Sequence, residues 1–450
     1  MALDQIQAQH AESVAAVGEK ELLKVTHSRS VALPHRMFPG PSATLAVRAG
    51  LIVASIFQTP LICPDLMAAR HICFATCAPG IEPLLHEELR GLKLAKVERQ
   101  VGGCYFEALP IDIWRANLCL RTAVRVLLRL SRFEAKTGEQ LYDKVKEIDW
   151  TTFVKPNGTL RVDAKVKDSS LDHSNYVEQR VKDAVADQFK EKFGERPSVD
   201  KDEPDLRIAI HIFRDRVTLQ VDTSGHSLHR RGWRKAQGFA PLAETLAAAI
   251  VMSTKWNRKA PLIDPFCGSG TLLIEAGLLA TNTAPGLFRK RFGFQSWEDH
   301  DKAGFERLKD KLHKEIRPLG KTQLIGNDLE GGRLRDVEDN AEIAGFGGKL
   351  RLQSGNASDF DFRPGWNACI VTNPPYGERI GDVRDLIPVY RAFGELLRSR
   401  AGGFEVAIFS GNRDLAAELQ MKYLRPLFLK NGAIECEILQ GVIPEPAGDE

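Results

Sequence analysis

The sequence predicts a doubly wound α/β domain, a mostly parallel sheet with helices on both faces, preceded by a smaller α+β region. Three observations predict it. Before about residue 225 the strand-like runs are short, alternate in polarity and are separated by helices. After about residue 238 apolar strands alternate with longer helices: Leu262-Ile263, Gln323–Ile325, Leu350–Leu352, Ala368–Val371 and Val406–Phe409. The length, 450 residues, is about three times a typical ~150-residue domain. Hydrophobic residues at 43% and charged residues at 27% are globular values and exclude a disordered chain, a collagen-like repeat and a coiled coil. A net charge of +3 does not by itself mark a nucleic-acid binder.

Residues 1–68 differ from the rest. From Lys24 to Pro64 there are four Lys or Arg and no acid, and prolines at 34, 39, 41, 60 and 64 forbid a long helix. The segment reads as an N-terminal extension, disordered or lying upstream of a start at Met67, with an organelle address as the alternative. Leu45–Cys63 contains Arg48, Gln58 and Pro60 and is short for a membrane span. Eight cysteines are read as reduced and buried. Cys73 and Cys77 lack the second pair a zinc site needs, so no metal is expected.

From residue 71 to about 130 the pattern is strand, helix, strand, helix. His71–Thr76 opens it. Leu84, Leu85, Leu89 and Leu92 share one helical face, and Gly102-Gly103 turns the chain into Cys104–Phe106. Leu160–Val166 alternates like a half-exposed strand. Tyr176–Phe193 carries Val177, Val181, Val185 and Phe189 at helical spacing. Leu206–Ile212 and Val217–Val221 form a hairpin about Arg214–Arg216.

Three motifs carry chemistry. In Pro261–Thr271 a strand ends in Asp264, a turn bearing Gly268 and Gly270 follows, and a helix begins. Such a turn brings backbone close to a ligand at a helix N-terminus. It lacks the Gly-Lys-Ser/Thr of a phosphate loop, and by itself it is also compatible with an ordinary structural turn. In Leu324–Asp328 a second strand ends in an acid suited to the hydroxyls of a ribose. The long gap between these two holds a charged segment, 283–320, read as a solvated cover or a substrate contact. In Val371–Gly377, Asn373, Pro374, Pro375 and Tyr376 suit a planar nitrogen substrate. The Asn373 amide oxygen and the Pro374 carbonyl can accept from an exocyclic amine while Tyr376 stacks on its ring. Two acceptors favour a pyramidal nitrogen and hold it in line for displacement. His226–Ala260 adds seven Lys or Arg against one acid. Arg230, Arg231, Arg234 and Lys235 beside Trp233 read as phosphate contacts with a stacking surface, or as a solvated linker.

Asp-Pro-Phe-Cys-Gly-Ser-Gly-Thr together with Asn-Pro-Pro-Tyr resembles S-adenosylmethionine-dependent amino-methyltransferases. Leu228–Arg234, Ala240–Ala247, Phe74–Gly80, Arg115–Ala123 and Asn431–Cys436 resemble, more narrowly, bacterial 23S rRNA guanine-N2 methyltransferases that carry a THUMP domain. The likeness runs from about residue 70 to 440. It implies a Rossmann-like methyltransferase domain preceded by a ferredoxin-like and THUMP RNA-binding region. The corresponding boundaries are 69–130 for the ferredoxin-like part, 131–226 for THUMP, 227–245 for a basic junction and 246–445 for the methyltransferase domain. It implies S-adenosyl-L-methionine as cofactor, with Asp264, Phe266, Gly268, Gly270 and Thr271 around its methionine end and Asp328 on its ribose. Asn356 and Ala357 stand at the adenine, where the family more often has Asp than Asn, and Glu244 or Thr245 is expected to reach the site. It implies an RNA partner, 23S rRNA with tRNA as the alternative, no membrane, and the cytoplasm of a bacterium. A non-catalytic ribosome-assembly factor with a relic domain is the reading from another class.

Overall fold

A computed structural model describes residues 69–235, 242–363, 365–377 and 383–445. The expectations placed on residues 1–68 lie outside the described residues. The first region runs β1 (His71–Thr76), α1 (Glu82–Gly91), β2 (Ala95–Gln100), β3 (Gly103–Ala108), α2 (Pro110–Cys119), β4 (Arg125–Glu134), α3 (Gly138–Lys146), β5 (Thr159–Lys167), α4 (Ser174–Phe193), β6 (Ser198–Val199), β7 (Leu206–Phe213) and β8 (Arg216–Asp222). The second runs α5 (Glu244–Met252), β9 (Leu262–Asp264), α6 (Thr271–Ala280), α7 (Lys302–Lys314), β10 (Leu324–Asp328), α8 (Arg333–Ile343), β11 (Leu350–Ser354), β12 (Cys369–Thr372), α9 (Val383–Arg400), β13 (Glu405–Ser410), α10 (Arg413–Glu418), β14 (Arg425–Asn431) and β15 (Ile434–Val442).

The first twelve elements build one eight-stranded sheet in the order β2-β3-β1-β4-β8-β7-β5-β6. One face is apolar and buried: Cys73, Ala75, Phe106, Val126, Leu128, Leu160, Val162, Ile208, Ile210, Leu219 and Val221 are all at most 9% exposed. Strand alternation turns the polar residues between them to the other face. β4 pairs with β1 on one side and with β8 on the other. The expected boundary at 130/131 therefore falls inside a strand, and the two small modules share one sheet. Glu88 of α1 fixes the turn after α2: its carboxylate accepts from the Arg121 and Thr122 backbone N–H groups at 2.7 and 3.0 Å and from the Thr122 hydroxyl. Glu82 accepts from the N–H groups of Gly80 and Gly102, at 2.7 and 2.8 Å, which ties the two glycine turns together. Cys73 and Cys77 are buried, and burial pushes both thiols far up. Among the described residues no cluster of His, Cys, Asp or Glu could hold a metal ion.

The second sheet has seven strands in the order β11-β10-β9-β12-β13-β15-β14. The first five are parallel, and β15 returns antiparallel against β13 and carries β14. From β9 the chain builds outward first through β10 and β11, then on the other side through β12. The crevice outside the carboxyl ends of β9, β10 and β12 is thus the topological switch point, where open α/β sheets place their ligands.

The segment between α6 and β10 covers α2 with its apolar residues and turns the charged residues of α7 to solvent. Phe294 and Phe305 are buried and pack on Trp114 of α2 at ring distances of 6.1 and 6.0 Å, and buried Phe292 packs against both at 5.4 and 6.0 Å. Arg289 donates to the carbonyls of Ser224, His226, Ser227 and Arg230. Its charge holds the junction strand in place, and the aromatic rings supply the apolar area. Among the described residues no helix is long and apolar enough to cross a membrane.

Candidate active site

Asp264, at the end of β9, is 1% exposed. Its Oδ1 accepts from the Thr372 hydroxyl at 2.7 Å and the Phe266 N–H at 3.2 Å. Burial pushes its pKa up to about 7, the two hydrogen bonds pull the other way, and nearby Asp328 adds to the rise. Asp328 ends β10. Its Oδ2 accepts from the Gly268 N–H at 2.9 Å and its Oδ1 from the Glu330 N–H at 3.0 Å. Asn327 of β10 links the loops after β9 and β11: its amide donates to the carbonyls of Pro265 and Gly355, at 3.1 and 2.9 Å. The three strand ends are therefore one hydrogen-bonded unit.

Gly270 sits at φ 78° immediately before α6, and a β-carbon there would stand 2.6 Å from Val337 Cγ1. Only glycine combines that left-handed backbone with close packing on α8. Gly268 is also left-handed, with open space where its side chain would be. Asn356 lies beyond β11, and its Oδ1 caps the short turn 357–359 by accepting from the Ser358 N–H at 3.2 Å. Ala357 is buried next to it. Phe266 packs edge-on against Phe393 of α9 at 5.2 Å.

Asn373 follows Thr372, the β12 residue whose hydroxyl donates to Asp264. Its Oδ1 is buried and has no hydrogen-bond partner. A buried amide oxygen without a donor costs about 1–3 kcal/mol. Pro374 is buried and Pro375 half-buried. The Tyr376 ring meets Phe409 edge-on at 6.2 Å. It also lies over Gly411, where a β-carbon would come within 2.9 Å of the ring.

The basic junction requires correction. Arg231 and Trp233 are 1% and 0% exposed. Arg231 pairs with Glu275 of α6 at 3.3 Å and donates to the carbonyls of Leu228 and Arg121. Trp233 fills a core with Ile274, Leu278 and Phe346. The Arg234 side chain is 8% exposed. It pairs with Glu244 at 2.9 Å and donates to Leu242 O, Thr271 Oγ1 and Ser269 Oγ at 3.0, 3.0 and 3.3 Å. These three side chains are spent inside the fold and cannot also meet phosphate. Arg230 and Lys235 are exposed, and Lys235 pairs with Asp339 at 3.0 Å. Glu244, expected to reach the cofactor site, pairs with Arg234, which in turn donates to Ser269 and Thr271 of the glycine turn. Sequence reasoning missed Glu275, Asn327 and Asn340, whose amide donates to the Ser269 carbonyl at 3.2 Å. The available signal was Glu275 as the lone charge in the otherwise apolar stretch Thr271–Ala280.

A seven-stranded sheet with this order, acids at two adjacent strand ends and an unpaired Asn-Pro-Pro-Tyr amide at a third define a methyltransferase-type domain, here carried by a ferredoxin-like and THUMP pair. The chain matches the RlmL ferredoxin-like domain over residues 73–127, the THUMP domain over 135–222 and the RMKL-like methyltransferase domain over 231–440. By these matches the chain joins a THUMP module to an RMKL-like methyltransferase domain. It is 40% identical over 382 residues to a ribosomal RNA large subunit methyltransferase K/L of Syntrophotalea carbinolica, and 42% identical over 381 residues to its namesake in Methylococcus capsulatus. Both matches cover 83% of this chain but only 53% and 51% of the relatives, so the chain spans about half the length of the curated relatives it matches. Among solved structures it is similar to SMU.472, a protein ascribed methyltransferase activity and crystallised with SAH. The TM-score is 0.75 and the identity 28%, over 85% of this chain and 100% of the other.

Proposed function

We propose that this chain catalyses S-adenosylmethionine-dependent methylation of the exocyclic N2 amine of a guanine in 23S rRNA, in the bacterial cytoplasm. The observation that carries the chemistry is the buried, unpartnered Asn373 Oδ1, one residue beyond the Thr372 that donates to Asp264. The relatives named as ribosomal RNA large subunit methyltransferases and the THUMP module support the substrate class.

The residues fit the cofactor. Asp264 offers a buried carboxylate with no cation beside it among the described residues, suited to an amino group. The open backbone at Gly268 and the start of α6 suit the polar methionine end, and Asp328 suits the ribose hydroxyls. Asn356 and Ala357 border the adenine position. When bound, S-adenosylmethionine supplies an electrophilic methyl group. The rest falls to this chain. The target base must be unpaired or flipped to reach the strand ends. Asn373 Oδ1 and the Pro374 carbonyl accept the two amine hydrogens, which keeps the nitrogen lone pair out of conjugation with the ring, and Tyr376 stacks on the base.

Labelled S-adenosylmethionine offered with separated, unmodified 23S rRNA, 16S rRNA and tRNA, followed by nucleoside digestion, tests this. Label in N2-methylguanosine from 23S rRNA alone is expected. Label in tRNA moves the substrate, and no label together with no cofactor binding leaves a non-catalytic factor.

The raised Asp264 pKa sets a pH dependence. In the folded protein this carboxyl keeps its proton to about pH 7, whereas its ordinary value is 3.8. Between those values the folded state holds a proton that the unfolded state has lost, so this group's contribution to stability falls as pH rises through that window. A cationic ligand group requires the ionised form. Cofactor affinity is therefore expected to weaken about tenfold per unit as pH drops below about 7, and Asp264→Asn should flatten the titration profile measured by calorimetry. Separately, Gly411→Ala should push the Tyr376 ring from its seat. The expected result is a fall of roughly tenfold or more in kcat, with the cofactor Kd unchanged, measured by single-turnover transfer and calorimetry.

A further inference from the structure

We infer that RNA is held on the open, helix-free face of the eight-stranded sheet, along the row Lys165, His211, Thr218 and Arg132, rather than by the junction arginines. The inference rests on the RNA substrate proposed above. The row follows from register. Lys165 of β5 stands opposite His211 of β7, His211 opposite Thr218 of β8, and Thr218 opposite Arg132 of β4. Their chain neighbours Ile210, Ile212, Val217 and Leu219 are at most 3% exposed and belong to the buried face, so the row points away from the core. Lys165, His211 and Arg132 are exposed and Thr218 is half-buried. Four adjacent strands place Lys165 and Arg132 about 14 Å apart, a span that can bridge separate phosphates of a folded RNA.

Along this row the free charge is one-sided, and the exposed acid Glu98, opposite Tyr105, lies at the far edge of the sheet. Asp163, one register step away, is already neutralised by Arg161 at 2.8 Å and Arg207 at 3.1 Å. Glu134, at the end of the next row, lies 3.9 Å from Arg216. Lys165, Lys167 and Arg132 have no acidic partner among the described residues, and Arg129 stands half-buried in the row before Arg132. Burial and the Lys165 charge hold His211 below its ordinary pKa, so near neutral pH it contributes a ring and hydrogen bonds rather than charge. Phe74 and Tyr105, tilted 4.6 Å apart on β1 and β3, offer half-buried aromatic surface on the same face. Alternating cations and rings on a sheet suit a polyanion with exposed bases.

The test is RNA binding by the full chain across a salt series, with labelled 23S rRNA fragments as the probe. The variants are Lys165→Glu/Arg132→Glu, Lys165→Gln/Arg132→Gln, and, as a control on the helix-covered side, Lys190→Glu. The wild type must first bind RNA; if it binds none, the inference falls together with the RNA reading. The expected result is at least a tenfold loss of RNA affinity for the Glu pair and a salt slope smaller by roughly two contacts for the Gln pair. The cofactor Kd, the thermal midpoint and the Lys190→Glu control should not move. Wild-type affinity and slope in both pairs, with the wild type still methylating RNA, would overturn this surface and leave the proposed function standing.

Discussion

Asn373→Ala is expected to cut methyl transfer by roughly 10²–10³-fold, the range seen when one preorganised polar partner of a reacting group is deleted, while RNA and cofactor affinities stay within about twofold. The side chain lies at the end of β12, and its buried Oδ1 satisfies nothing else in the fold. Its removal therefore leaves no protein donor orphaned, and the folded state should gain rather than lose stability. Single-turnover transfer, cofactor calorimetry and a melting curve separate these outcomes. Turnover at the wild-type rate would remove Asn373 from the amine-holding role.

Arg231→Ala should act on stability and not on RNA contact. It deletes a guanidinium that is 1% exposed and leaves Glu275, 0% exposed, short of its hydrogen-bonded partner. Removing one member of a buried ion pair costs about 3–5 kcal/mol. The variant is also expected to free the Arg121 carbonyl and thereby loosen the first region's grip on α6. Arg121 itself donates to the carbonyls of Leu278 and Thr283, so the two arginines stitch the first region to α6, the helix that begins at the glycine turn. Chemical denaturation should show the loss, and the salt slope of RNA binding by the folded fraction should match the wild type. A stable variant with a reduced slope would restore the phosphate-contact reading.

Much of the fold was legible because its signals are local. β1, α4, the β7–β8 hairpin and the five parallel strands all show plain periodicity, and Asp264, Asp328 and Asn373 each close a short apolar run. β4 was hidden for a physical reason. Val126, Leu127 and Leu128 are buried consecutively, and a register shift between Arg129 and Ser131 breaks the alternation. The β14–β15 hairpin was hidden because β14 is an edge strand whose apolar run Leu427–Leu429 does not alternate and buries only Leu429. The junction arginines misled for a different reason. A run of charges states its sign but not its partner, and the carboxylates that absorb Arg231 and Arg234 sit on α6 and α5, 44 and 10 residues away.

The strand common to both small modules has a consequence for how this protein comes apart. β4 donates one edge to β1 and the other to β8, so cleaving the chain between residues 130 and 131 would not release two domains. It would create two half-sheets with raw hydrogen-bonding edges, each prone to self-pairing. Residues 71–222 should accordingly melt in one cooperative transition and survive limited proteolysis as a single fragment. Inheritance should follow the same rule, the two modules being lost, gained or transplanted only as an indivisible pair.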